Sequence, residues 1–376
     1  MPELRSILIK PMGSFCNIKC DYCFYLDKHS LYAGAASTHR MNDTTLETLI
    51  KGMFDCTDSP VFVWQGGEPT VLGLEFFKNV TRIQKHYAQN RPYQNSLQTN
   101  GLLLNEAWAQ FLRQENFLVG ISLDGPQHIH DHYRKDHKSK GTFQPVFEKA
   151  QMLLKHEVPV NVLATVTDYS VKHAKEIYDF FAENGFLFMQ FSPVVERDPQ
   201  NPEIAASFSV TAQDYGYFLY ELMTCWINDF DFKTLKQKTS IRFFDSVLAA
   251  YIGLVPDHCV MHKVCNDYLV VEHNGDLYSC DFLVSENTKL GNLHEISLKE
   301  AFHSPAHIAF GAQKAVYVRE CQQCQWLRLC YGGCIKDRRH DPKDQGHNHF
   351  CESYKYFFKQ AHNHFKKFAS LYHQYY

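Results

Sequence analysis

Along the first half of the chain, short apolar runs rich in β-branched and aromatic residues alternate with longer stretches patterned like amphipathic helices. The runs at Leu4–Lys10, Val61–Gln65, Tyr93–Thr99, Leu118–Leu123, Val158–Val166 and Leu187–Phe191 read as strands. The stretches at Asn42–Phe54, Leu74–Gln89, Asn105–Glu115, Phe143–His156 and Ser170–Asn184 read as helices. Six strands in alternation with helices predict βαβ units and a parallel sheet, an α/β fold. Beyond them, Tyr215–Asn228 and Phe243–Ile252 read as helices, and Gly275 as a turn before a strand at Asp276–Ser279. The aromatic, His-rich tail Ser353–Tyr376 reads as one more helix. No internal repeat and no low-complexity linker interrupts this order.

Polar and special residues gather where each strand should end. Cys16, Cys20 and Cys23 follow the first strand, and Gly66-Gly67-Glu68-Pro69 follows the second. The third ends at Gln98-Thr99-Asn100-Gly101, and the fourth runs into Ser122 and Asp124-Gly125. Thr165 and Thr167 close the fifth, and Gln190 and Ser192 lie on the sixth. Ligands of α/β folds bind at the carboxyl ends of the strands, so this succession predicts a site there.

Composition narrows the function classes. The chain has 376 residues, 45% of them hydrophobic, and a net charge of −3 without a basic block, which argues against a nucleic-acid partner. It has no run of roughly 18 apolar residues, and its start lacks the pattern of a secretory signal. A cytoplasmic protein with no membrane partner is the expectation. The 21 histidines scatter along the chain, mostly a surface habit of composition, and are assigned no metal role.

The 13 cysteines change the picture. An odd number in a reducing compartment fits poorly with disulfides and points to metal or cluster ligation. Three stand near the start, eight lie between 259 and 351, and Cys56 and Cys225 are isolated and read as buried packing residues. Cys16, Cys20 and Cys23 have the spacing C-x3-C-x2-C, which can hold three corners of a [4Fe–4S] cluster and leave one iron open. The competing reading is a structural zinc site completed by Cys56 or His29. Cys259, Cys265, Cys280, Cys321, Cys324, Cys330, Cys334 and Cys351 suffice for two fully ligated [4Fe–4S] clusters. Two structural zinc sites are the alternative there.

C-x3-C-x2-C with Tyr22 before the third cysteine resembles the signature of the radical S-adenosylmethionine (SAM) superfamily, and Gly66-Gly67-Glu68-Pro69 resembles its GGEP segment. The resemblance implies a partial (β/α)6 barrel in which SAM chelates the open iron and is cleaved to a 5′-deoxyadenosyl radical. It implies that Gly66, Gly67 and Glu68 hold the SAM amino group. Ser122, Asp124 and Arg134 become candidates for its ribose and carboxylate; a helix cap or a surface ion pair is the alternative for each. The second cysteine set resembles the SPASM extension. That likeness implies one auxiliary cluster on Cys259, Cys265, Cys280 and Cys334 and another on Cys321, Cys324, Cys330 and Cys351. With no open iron, both would transfer electrons.

Lys10-Pro11, Cys23-Phe24-Tyr25, Gln65 through Thr70, Ser96 through Gly101, Arg134-Lys135-Asp136, Cys280-Asp281-Phe282, Leu290-Gly291-Asn292 and Tyr331 through Cys334 together resemble the anaerobic sulfatase-maturating enzymes over nearly the whole length. That family oxidises a Cys or Ser in a C/S-x-P-x-R type sulfatase motif to Cα-formylglycine. The resemblance implies Asp281 as the base, Tyr25 and Gln65 as substrate contacts, and a flavodoxin or ferredoxin-type reductant. A turn or cap carboxylate is the alternative for Asp281, and core packing for Tyr25 and Gln65. The competing function is another SPASM-type enzyme that makes thioether or carbon–carbon links in a ribosomal peptide. With only 15 residues before Cys16, an N-terminal peptide-binding domain is not expected. A zinc scaffold is the non-enzymatic alternative. The expected organisation is a barrel at 1–193, a linking region at 194–255, a SPASM module at 256–351 and a C-terminal helix at 352–376.

Overall fold

A computed structural model of the chain describes residues 3–32, 39–198, 200–231, 234, 236–338 and 346–375. The strands are β1 (Ser6–Lys10), β2 (Ile18–Cys20), β3 (Val61–Trp64), β4 (Gln94–Thr99), β5 (Leu118–Ser122), β6 (Arg134–Asp136) and β7 (Val160–Val166). They continue with β8 (Phe188–Pro193), β9 (Phe230–Asp231), β10 (Lys236–Gln237), β11 (Ser240–Ile241), β12 (Tyr268–Glu272), β13 (Asp276–Tyr278) and β14 (Lys289–Asn292). The helices are α1 (Asp43–Cys56), α2 (Leu74–Ala88), α3 (Glu106–Gln114), α4 (Gln127–Tyr133), α5 (Phe143–Lys155), α6 (Ala174–Glu183) and α7 (Ala212–Asn228). After them come α8 (Arg242–Tyr251), α9 (Leu298–Phe302), α10 (Pro305–Ala312), α11 (Arg319–Gln322), α12 (Leu327–Cys330) and α13 (Cys351–Tyr375). The expected α/β class is what this order shows, with all six expected strands present. Tyr376, the last residue of the expected tail helix, and the side chain of His29 lie outside the described residues.

Helix starts differ from expectation where a polar cap takes over. Asn42 and Asn105 were expected inside their helices; instead each side chain accepts the backbone N–H of the third residue on, Thr45 at 2.8 Å and Trp108 at 3.1 Å. The single helix expected over Ser170–Asn184 is a 3-10 turn, Ser170–Lys172, followed by α6.

The chain forms two compact units, each discontinuous in sequence. Compactness divides it otherwise than composition does. The first unit comprises Met1–Ser122, Arg134–Val160 and Cys265–Ala312. Its sheet has the order β5-β4-β3-β1-β12-β13-β14, parallel from β5 to β12 and antiparallel from there on. The strand β12, absent from the sequence expectation, enters beside β1 with Lys10 opposite Glu272. This pairing is why Cys265–Ala312 belongs to the first unit. Ile7, Ile9, Phe62, Trp64, Leu97, Val119 and Ile121 are fully buried in this sheet. Phe77 packs edge-on against Trp64 and Trp108 with ring centroids 5.8 and 5.3 Å away.

The second unit comprises Leu123–Tyr133, Asn161–Val264 and Gln313–Tyr376. It holds the parallel strands β11-β8-β7 and the helices α7, α8 and α13. Their core is aromatic: Trp226 lies 5.6 Å from Phe244 and 5.9 Å from Phe365, and Phe244 stacks on Phe357 at 5.5 Å. Among the described residues no helix is long and apolar enough to cross a membrane.

Candidate active site

The loop between β1 and β2 carries the first three cysteines, and the segment after β3 holds it in place. Gly67 N–H donates to the Gly13 carbonyl and Glu68 N–H to the Phe15 carbonyl, both at 2.8 Å. A Cβ on Gly67 would stand 1.9 Å from the Phe15 carbonyl oxygen, so only glycine allows this approach. Burial, with Glu68 and Cys23 nearby, pushes the Cys16 thiol up to about 11. A bound metal supplies the positive charge that lets such a thiol ionise. Asn100 Nδ2 donates to Asn17 Oδ1 at 2.7 Å and points at Cys16 Sγ at 3.7 Å.

Glu68 is 1% exposed, and protein donors occupy its carboxylate. Oε1 accepts from the Thr70 N–H, the Thr70 hydroxyl and the Thr99 hydroxyl at 2.6–2.9 Å, and Oε2 from the Asn100 N–H at 2.7 Å. Burial raises its pKa against the pull of these bonds. The side chain thus joins the ends of β3 and β4, and Oε2, which accepts from Asn100 N–H, keeps acceptor capacity for a further donor.

Arg134 also serves the cysteine loop. Strand β6 pairs with β2 so that Arg134 lies opposite Cys20. Its guanidinium sits 5.4 Å over the Tyr22 ring and 3.9 Å from Cys20 Sγ. Ser122 is in the first unit, where its hydroxyl accepts from Gln98 at 3.0 Å. Asp124 is in the second unit, 3% exposed, and accepts the Thr165 N–H at 2.9 Å.

Four residues form a buried polar group at the ends of β1 and β12. Lys10 is 2% exposed; its ammonium lies 3.5 Å from Asp281 and 4.4 Å over the Tyr25 ring. The Tyr25 hydroxyl donates to Glu272, which is fully buried. Burial and then Glu272 hold the Tyr25 pKa well above its usual value. The second Glu272 oxygen accepts no hydrogen bond among the described residues. Asp281 also receives the Tyr268 hydroxyl at 3.5 Å. Tyr25 is itself 2% exposed, so it bears on the site through Lys10 and Glu272; Gln65, half-buried just after β3, keeps its backbone N–H on the Ile9 carbonyl. A Cβ on Gly66 would stand 3.2 Å from the Lys10 side chain, so the Lys10 stem that reaches Asp281 runs close beside the glycine segment. Lys10 and Glu272 were missed as site residues. Each is a charged residue closing an apolar strand, SILIK and YLVVE, and that is the signal which could have found them.

In the second unit Cys321, Cys324, Cys330 and Cys351 line one cavity with Trp326, Leu327 and Tyr354. Burial pushes the Cys351 thiol up to about 11 and raises Cys321 and Cys330 as well. Four thiols around one space are the donor set of a [4Fe–4S] or zinc centre. A Cβ on Gly333 would come within 2.4 Å of Asn348, whose amide donates to the Cys334 carbonyl at 3.0 Å. Of the other four cysteines, Cys265 and Cys280 belong to the first unit and Cys259 and Cys334 to the second. Cys56 and Cys225 are half-buried in α1 and α7.

Two family profiles match: the radical SAM superfamily over residues 11–181 and the SPASM iron–sulfur cluster-binding domain over residues 259–325. A cysteine-type anaerobic sulfatase-maturating enzyme of Clostridium perfringens is 39% identical over 368 residues, covering 96% of this chain and 97% of that protein. A serine-type anaerobic sulfatase-maturating enzyme of Bacteroides thetaiotaomicron is 36% identical, covering 94% and 89%. A solved structure described as native anSMEcpe with bound AdoMet and Cp18Cys peptide superposes with a TM-score of 0.87 at 36% identity, over 97% of this chain and 99% of that one.

Proposed function

The chain belongs to the anaerobic sulfatase-maturating enzymes of the radical SAM superfamily, and on that premise we propose that it oxidises a Cys or Ser side chain of a sulfatase to Cα-formylglycine. The cofactors are SAM and three [4Fe–4S] clusters. When bound, they supply hydrogen-atom abstraction from the substrate Cβ and an acceptor for the second electron.

The residues of this chain divide the remaining work. Cys16, Cys20 and Cys23 would hold the first cluster, and Gly66, Gly67 and Glu68 would hold the SAM amino group. Glu68 fixes that segment to the end of β4. Ser122 and Asp124 are the ribose candidates, and Arg134 braces the cysteine loop. Cys259, Cys265, Cys280 and Cys334 hold one auxiliary cluster, and Cys321, Cys324, Cys330 and Cys351 the other. Asp281 takes the proton from the substrate thiol or hydroxyl. A thioaldehyde so formed exchanges its sulfur for water to reach the aldehyde.

One observation carries this reading: the buried Lys10 side chain lies 3.5 Å from Asp281 and runs so close to Gly66 that a Cβ there would stand 3.2 Å from it. It ties the proposed base to the proposed SAM segment within one unit. Gln65 would border the substrate side chain, and the buried Tyr25 would act on it through Lys10 and Glu272. The target is a sulfatase polypeptide with a C/S-x-P-x-R motif, modified in the cytoplasm, and the reductant is a flavodoxin or ferredoxin.

The test is an anaerobic assay with reconstituted clusters, SAM, dithionite and paired peptides carrying C-x-P-x-R or S-x-P-x-R. An aldehyde at the target residue, formed in step with 5′-deoxyadenosine and lost in Asp281→Asn, is the expected result. Deoxyadenosine without change in either peptide would overturn the maturase reading and leave the radical SAM assignment.

A further inference from the structure

Away from the cysteines, three donors converge on the surface of the second unit. His128 lies on α4; His173 caps α6, and Glu176 sits in its first turn. His173 Nδ1 is 2.8 Å from Glu176 Oε2, and His128 Nε2 is 3.6 Å from Glu176 Oε1. One ligand atom from each residue falls within 4.8 Å of the other two. The shorter contact is a hydrogen bond. The longer one exceeds hydrogen-bond range, yet it suits two ligands of one small ion. Bonds of about 2.0–2.2 Å at a tetrahedral angle separate two donors by roughly 3.4 Å.

The imidazoles are already oriented. His132 stacks on Tyr169 at 4.0 Å, Tyr169 packs on His173 at 5.3 Å, and His128 meets His173 edge-on at 5.3 Å. Glu176 stands three positions after His173, the N-cap of α6, and the two side chains meet at the start of that helix. The side chains of His128 and Glu176 are each 47% exposed, so an ion can enter from solvent. Glu183 and Asp179 line the same surface recess as Glu176, and Lys175, which also lines it, is paired with Asp179.

We infer that His128, His173 and Glu176 form a site for one divalent transition-metal ion of the zinc class. Two imidazoles and a carboxylate are the donor set such ions select, with water in the fourth position. The ion would clamp α4 to the start of α6. Helix α4 follows Asp124, whose N–H donates to His130 Nδ1 at 3.4 Å, so the clamp would also steady the segment that carries Asp124. This inference is independent of the maturase reading.

The test is anaerobic competition for Zn2+ between a fluorescent chelator and the reconstituted holoenzyme, with iron measured in the same samples. Wild type should bind one more equivalent of zinc than the H128A/H173A double variant at equal iron content. Equal zinc uptake by both proteins would overturn the site, as would no zinc uptake by wild type. Should the double variant lose iron, Glu176→Gln, which keeps both imidazoles, decides in its place: it must bind zinc more weakly than wild type.

Discussion

Gly67 has no room for a side chain, because the Phe15 carbonyl occupies the place of its Cβ. Gly67→Ala should therefore push the loop of Cys16 away and cost one cluster's worth of iron. Iron analysis after reconstitution checks this; a full complement would mean that the loop yields. Lys10 is the other residue on which much depends. Removing one partner of a buried ion pair leaves the other charge uncompensated, at a cost of about 3–5 kcal/mol. Lys10→Met should lower the yield of aldehyde by roughly tenfold or more, which corresponds to a barrier raised by about 1.4 kcal/mol or more once Asp281 loses its fixed position. It should also raise the ratio of deoxyadenosine to aldehyde, with Lys10→Arg recovering part of the coupling. An unchanged ratio in Lys10→Met would reduce Lys10 to a packing role. Glu272 adds a related constraint. Its second buried oxygen accepts no hydrogen bond among the described residues and has His273 Nδ1 3.8 Å away, an expense that sites, more often than cores, carry.

At the scale of elements, the two units are held by different means. In the first, strand pairing and an apolar sheet suffice. In the cysteine-rich part of the second, the buried Lys314 and Lys336 and the half-buried Arg338 tie irregular backbone together. Lys314 donates to the carbonyls of Cys259 and Val260, and Arg338 to those of Lys314, Val316, Tyr331 and Gly332. Lys336 reaches the Val195 carbonyl at 2.9 Å and Glu196 at 2.7 Å. Helix α8 illustrates a different cost. Burial pushes Asp245 in its first turn up to about 6, against the bond from Ser240. A carboxyl whose folded pKa is raised stabilises the fold below its unfolded pKa and loses that contribution as pH rises through the folded value. Between about pH 5 and about pH 7.5 the wild type should lose about 1 kcal/mol relative to Asp245→Asn. Paired urea unfolding curves at the two pH values measure it, and parallel behaviour of the two proteins would show that Asp245 is not buried in solution.

At the scale of the whole molecule, the function needs every centre loaded. Cys324→Ala should remove one cluster's worth of iron and depress aldehyde formation, and iron analysis beside the peptide assay reads both. Full iron content in this variant would remove Cys324 from the ligand set. The alternation of strands and helices was legible in the sequence because apolar periodicity is a local property, and the six expected strands lie within a few residues of their places. The cysteine chemistry was legible for the same reason, since C-x3-C-x2-C is a spacing within one loop. Strand β12 was legible too, as an apolar run before the Asn274-Gly275 turn, and was overlooked. What the sequence by itself determined is thus the class of fold, the cluster chemistry and the family likeness. Only the tertiary structure decided that Tyr25 bonds to Glu272, 247 residues away, that Lys10 reaches Asp281 and runs close beside Gly66, and that Glu68 accepts from Thr70, Thr99 and Asn100. These contacts follow from which strands lie side by side and in what register, and pairing between distant segments leaves no periodic trace in either one.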